Sequence, residues 1–112
     1  MSMLDKVTEK AIGNYGRVAG AETAFDPATI VVFLELITGL IQLFKDCKQK
    51  PTDALKIAQK PGPLQKIVLR RNVKKMLDRE DRRLGNSFNK ALLDTGENLT
   101  LEEIQGLYDE VD

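Results

Sequence analysis

The stretch Asp26 to Lys50, DPATIVVFLELITGLIQLFKDCKQK, constrains the fold more than any other part of this chain. Asp26 suits a helix N-cap, and Pro27 suits the first helical position, where the N–H it lacks would go unpaired. Lys45, Lys48 and Lys50 crowd the far end, where the helix dipole favours cations, and Pro51 stops the run. At about 100° per residue, Glu35, Thr38, Gln42, Lys45 and Gln49 share one narrow stripe. Ile30, Phe33, Leu34, Leu36, Ile37, Leu40, Ile41, Leu43 and Phe44 spread over the remaining arc of roughly 220°. A surface helix has a narrower apolar face, so this one demands cover on several sides, from its own domain or from a partner chain.

A membrane is the other way to cover it. The apolar run from Ala28 to Phe44 is 17 residues. As a helix it spans about 26 Å. That is short of a hydrocarbon core of about 30 Å. Glu35 stands in its middle, where a carboxylate is costly in lipid. A membrane-associated oligomer would have to hide the Glu35–Thr38–Gln42 stripe in a water-filled pore. A core or interface helix is the simpler expectation.

The chain has 112 residues, 42% of them hydrophobic and 30% charged, which suits one globular domain. It has no His, and so lacks the commonest acid–base group and the commonest metal ligand. Cys47 is the only cysteine, so neither an intrachain disulfide nor a cysteine-based zinc site can form. Its place on the long helix suggests a buried thiol. Aromatics are few and Trp is absent, so aliphatic packing is expected to hold the core. No basic segment followed by a cleavable apolar region opens the sequence, so secretion by a cleavable signal is not expected.

Net charge is zero but unevenly placed. Residues 1–44 carry a net charge of −2, residues 45–83 of +8 and residues 84–112 of −6. The two C-terminal segments are expected to meet, within one chain or head to tail between copies. Within one chain, a turn at Gly96 would bring the last helix towards Arg70, Arg71, Lys74 and Lys75.

Taken in order, Ser2 and Asp5 resemble a capping box, and Leu4, Val7, Ala11 and Tyr15 recur at helical spacing. Gly13, Gly16 and Gly20 are expected to break this first helix, leaving residues 16–25 as a loop. GNYGRVAG matches neither phosphate-cradling glycine pattern. After Pro51 a short helix runs to Gln59. Pro61-Gly62-Pro63 is a firm break, and a basic helix follows from Leu64 to Asp78. Arg79 to Arg83 is a bend or an exposed turn. Ser87 to Leu93 is helical, with a turn centred on Gly96. Thr100 and Glu103 form a capping box, with Leu99 and Ile104 placed as a hydrophobic staple, and the last helix runs to about Val111.

Asp94 to Thr100 has the look of a calcium loop. However, the pattern needs Gly at its sixth place and Glu at its twelfth, where Leu99 and Gln105 stand. The basic run Lys66 to Arg83 suits phosphate backbones but carries no aromatic residue for base stacking. The last helix, with Glu102, Glu103, Asp109 and Glu110, would repel DNA from a recognition position. Its carboxylate pairs lie in no apolar context that would split their pKa values, and no nucleophile lies near a base. Catalytic residues, cofactor and metal are therefore not expected.

The expected fold is all-α, with five or six helices around the helix at about 26–50. One domain spans 1–112: an N-terminal helix and glycine-rich loop (1–25), the central helix (26–50), a basic segment (51–83) and an acidic helical hairpin (84–112). The expected function is that of a non-enzymatic structural or adaptor subunit, acting through helix packing in a larger assembly. It would work in the cytoplasm or within an assembled particle, such as a phage virion, with both termini ordered. A protein partner or a second copy is the expected partner. A nucleic acid or a membrane is the alternative, and no small-molecule substrate is indicated. Interaction candidates are Phe33, Ile37, Leu40 and Phe44 on the long helix, Arg70, Arg71, Lys74 and Lys75 in the basic segment, and Glu102, Glu103, Asp109 and Glu110 at the acidic end.

Overall fold

The chain begins with a helix that its own glycines should have ended. A computed structural model describes residues 2–19, 26–77 and 82–111, and the side chains of all of these except 82–84. Met1 and Asp112 lie outside them, so the expected order of the two termini does too, as does most of the Arg79 to Arg83 run. Helix α1 spans Met3–Ala19 and passes straight through Gly13 and Gly16. The Ser2 hydroxyl accepts from the Asp5 N–H at 3.1 Å, which is half of the expected capping box. Each interior glycine costs about 1 kcal/mol relative to alanine. Burial of Val7, Ala11, Ile12 and Tyr15 on one face outweighs that, at about 1.5–3 kcal/mol for each large side chain.

Helix α2 spans Pro27–Asp46, with the Asp26 carboxylate accepting from Ala28 N–H and Pro27 in its first turn. It stops four residues short of the expected Lys50. Lys48 adopts a left-handed conformation, with φ of 57°. Gln49 N–H bonds back to Phe44 O, and Lys48 N–H to Lys45 O. This is the Schellman arrangement, and it is unusual in placing lysine where glycine fits best. Pro51 then opens α3, Pro51–Gln59, so it begins a helix as well as barring the previous one. Cys47 is exposed at the C-cap of α2, not buried as its place on a helix suggested, because the helix turns away there.

Helix α4 spans Pro63–Met76 and buries Leu69 and Val73. Helix α5 spans Arg82–Glu97, well beyond the expected Ser87 to Leu93. It runs through Gly96, where a turn was expected, because α3 crosses there closely: a Cβ on Gly96 would stand 2.7 Å from Ala58 O. Helix α6 spans Leu101–Glu110 and opens on the full Thr100–Glu103 capping box, with Leu99 and Ile104 both buried.

The fold is all-α: six helices and no strand among the described residues. Its radius of gyration, 13.1 Å, is that of a closely packed chain of this length. Helix α1 pairs most extensively with α5 and also packs on α2 and α6, α3 rests on α5 and α6, and α4 rests on α5 and α2. Aromatic residues have a larger part in the core than their number suggested. Tyr15, Phe33 and Phe88, from α1, α2 and α5, form a ring cluster with centroids 4.6–5.6 Å apart.

Candidate interaction surfaces

Helix α2 buries Phe33, Leu36, Ile37 and Ile41 and leaves its opposite side open. Val31 is 50% exposed and Leu43 41%. Its own chain covers most of the apolar arc: Ile30, Phe33, Leu34, Leu36, Ile37, Leu40, Ile41 and Phe44 are buried or half-buried, Leu43 is exposed, and the open side carries Val31, Glu35, Gly39 and Asp46. Phe33 and Ile37, two of the interaction candidates, are core residues packed within the fold. Leu40 and Phe44 are half-buried and line an apolar cavity of about 120 Å³ to which all six helices contribute. By length and composition α2 is long and apolar enough to cross a membrane.

Beside it, α4 carries two apolar faces. Leu69 and Val73 point inward. Leu64, Ile67 and Val68 point outward and are 74%, 47% and 37% exposed. Arg71 and Lys75 share the outward face, one and two turns on, and Arg70 and Lys74 flank it; all four are exposed. Leu64, Ile67 and Val68 were not singled out from the sequence as surface residues. The signal was there: two sets of apolar positions, each at helical spacing, on one helix with no acidic residue. A groove of about 320 Å³ separates α4 from α2, with Glu35, Leu43 and Asp46 on one wall and Lys75 and Met76 on the other.

The acidic end divides in two. Glu103 and Glu110 are occupied within the fold. Lys10 reaches Glu103 Oε2 at 2.5 Å, the one ion pair among the described residues. Burial pushes the Glu103 carboxyl up, but hydrogen bonds from Lys10 and Thr100 and the lysine charge outweigh it and hold the pKa below the ordinary 4.5. Glu110 accepts from Met3 N–H at 2.6 Å and Leu4 N–H at 2.8 Å, so it caps α1 from across the molecule. Glu102 and Asp109 are exposed and have no such partner among the described residues.

The C-terminal end of α6 is held by a cation. Lys45 Nζ donates to Tyr108 O at 2.9 Å and to Val111 O, and lies 6.0 Å from the centroid of the Tyr108 ring. The Tyr108 hydroxyl donates to Gln49 O at 2.9 Å. Burial, then the nearby Asp53 carboxylate, pushes its pKa above the ordinary 10.0. Charges of the two segments thus meet Lys10, the first turn of α1 and the end of α6, and among the described residues no ion pair joins one segment to the other. Helix α6 packs on α3, α1 and α2, and no ion pair joins it to α4 among the described residues.

Among the described residues, two buried polar side-chain atoms have no hydrogen-bond partner, Thr8 Oγ1 and Asn89 Oδ1. They lie on separate helices, α1 and α5, and no group of His, Cys, Asp or Glu among the described residues is arranged to hold a metal ion. No protein-family profile, no curated protein and no solved structure matches this chain.

Proposed function

We propose that this chain is a non-enzymatic structural or adaptor subunit that acts through helix packing within a larger assembly. The observation that carries the reading is the outward apolar face of α4, with Val31 and Leu43 exposed singly on α2. Val31, Leu43, Leu64, Ile67 and Val68 are all more than a third exposed, on two adjoining helices of a small domain. A protein surface of this kind marks an interaction site, because covering it in a partner removes apolar area from water. A virus particle or another multiprotein complex is a setting for such a subunit.

The test is to replace Val31 and Leu43 together with lysine and to measure solution mass and thermal melting. Both positions are exposed, so the fold is expected to survive. The mass is expected to fall from that of an assembly towards the 12.5 kDa of one chain. An unchanged mass with an intact fold removes the open side of α2 from the reading. Two rival outcomes are measured alongside. A chain that enters the membrane fraction on expression without detergent uses α2 as a span. Binding to random-sequence DNA at low salt that weakens steeply with added salt assigns Arg70, Arg71, Lys74 and Lys75 to phosphate contact.

A further inference from the structure

We infer that the outward face of α4 docks on the outward face of α6 in a second copy of this chain, so that copies associate head to tail. The inference rests on the subunit reading above and names its partner. On α4, Leu64, Ile67, Val68, Arg71 and Lys75 share one exposed face. The helix carries five cations and no acid. On α6, Leu101, Glu102, Gln105 and Asp109 share one exposed face. Leu101 is 40% exposed.

The two faces match in kind. Three exposed apolar side chains on α4, and Leu101 on α6, stand beside charge of one sign, and the signs are opposite. Among the described residues no ion pair joins either face to a counter-charge. The acids that do find partners, Glu103 and Glu110, spend them on Lys10 and on the first turn of α1. What remains is a basic surface on one element and an acidic surface on another, in a chain of zero net charge. A neutral chain brings copies together without net repulsion, and opposed patches orient them.

The geometry of the contact follows from where the faces sit. Helix α4 packs on α5 and α2, and α6 packs on α3, α1 and α2. The two faces are different surfaces, so the contact is heterologous. Each copy added leaves one α4 face and one α6 face unused, and the assembly closes as a ring or runs on as a filament. The apolar residues hold the contact, since exposed ion pairs contribute only about 0–1 kcal/mol each, while the charges set orientation and rate.

The test uses the full chain in two charge-reversed forms. One carries Arg71→Glu with Lys75→Glu, the other Glu102→Lys with Asp109→Lys. All four positions are exposed, and circular dichroism checks that the helices remain. The native chain at low salt is expected to gain mass with concentration. Each variant alone is expected to stay at the mass of one chain, because its two faces now carry like charge. An equal mixture of the two variants is expected to regain the native association, and so is one chain carrying all four reversals. Native association that survives in either variant alone, or that the mixture does not restore, overturns this contact and leaves the subunit reading standing. A native chain that binds anionic vesicles through α4 but never itself overturns it as well. A native chain that stays at the mass of one copy under all conditions overturns the contact and self-association together.

Discussion

The carboxylate of Glu110 accepts a hydrogen bond from the backbone N–H of Leu4 at 2.8 Å, across nearly the whole length of the chain. The same carboxylate takes the N–H of Met3. An acidic residue at the end of the last helix therefore serves as the cap of the first. It meets the positive end of the α1 dipole and two donors that no intrahelical bond can satisfy.

Glu110→Ala removes that cap. The expected loss is about 0.5–2 kcal/mol, as for other helix caps. In a domain of this size a loss of 1 kcal/mol lowers the melting temperature by about 4–8 °C. Differential scanning calorimetry of the variant reads this directly. A melting temperature within error of the native value means the contact adds nothing in solution.

Glu103 gives the fold an acid-sensitive joint. Its pKa is held below the ordinary 4.5 in the folded chain, so the folded state favours the ionised form. The stabilisation this gives is fully present above the unfolded value and is lost as pH falls through the lower folded value. Stability measured by denaturant from neutral pH downwards should decline below about 4.5, and Glu103→Gln should flatten that part of the profile. Lys10→Met should flatten it too, since lysine supplies both a hydrogen bond and the opposing charge.

Lys48 holds the left-handed position that ends α2. An L side chain there costs about 1 kcal/mol or more, which glycine avoids. Lys48→Gly is expected to stabilise the chain by about 0.5–1 kcal/mol, with the rest offset by the extra freedom of glycine in the unfolded state. Chemical denaturation should show a higher midpoint at unchanged slope. A lower midpoint means that Lys48 makes a contribution beyond its backbone.

Gly96 is fixed for the opposite reason. A methyl group there would press into the carbonyl oxygen of Ala58 at 2.7 Å, and a backbone atom cannot swing aside. Gly96→Ala should destabilise by about 1–3 kcal/mol, although alanine favours a helix. Gly13→Ala is the control. It meets nothing within 4 Å, so it should stabilise by the intrinsic preference alone, about 0.5–1 kcal/mol.

These four positions also show what was legible in the sequence and what was not. Local signals were read correctly. Asp26 with Pro27 starts α2, Pro61 to Pro63 separates α3 from α4, and the Thr100–Glu103 box opens α6. In each, the atoms that interact lie within a few residues of one another. Features that depend on distant atoms were missed. Gly13, Gly16 and Gly96 look like breaks in the sequence because propensity acts locally, while α5, α2 and α3 hold those segments helical from outside. The exposure of Leu64, Ile67 and Val68 depends on which side of α4 meets α5 and α2, and helical periodicity shows two apolar faces without ranking them. The pairing of Glu110 with α1 and of Lys45 with the end of α6 joins a side chain to a backbone terminus, which charge counting does not register.

Covering of the exposed apolar face of α4 by a second copy of the chain is what a measurement of mass decides. Sedimentation equilibrium of the unmodified chain at low salt, over a hundredfold range of concentration, tests it most directly. The mass is expected to rise above 12.5 kDa with concentration and to fall back as salt is added. A mass fixed at 12.5 kDa throughout contradicts it.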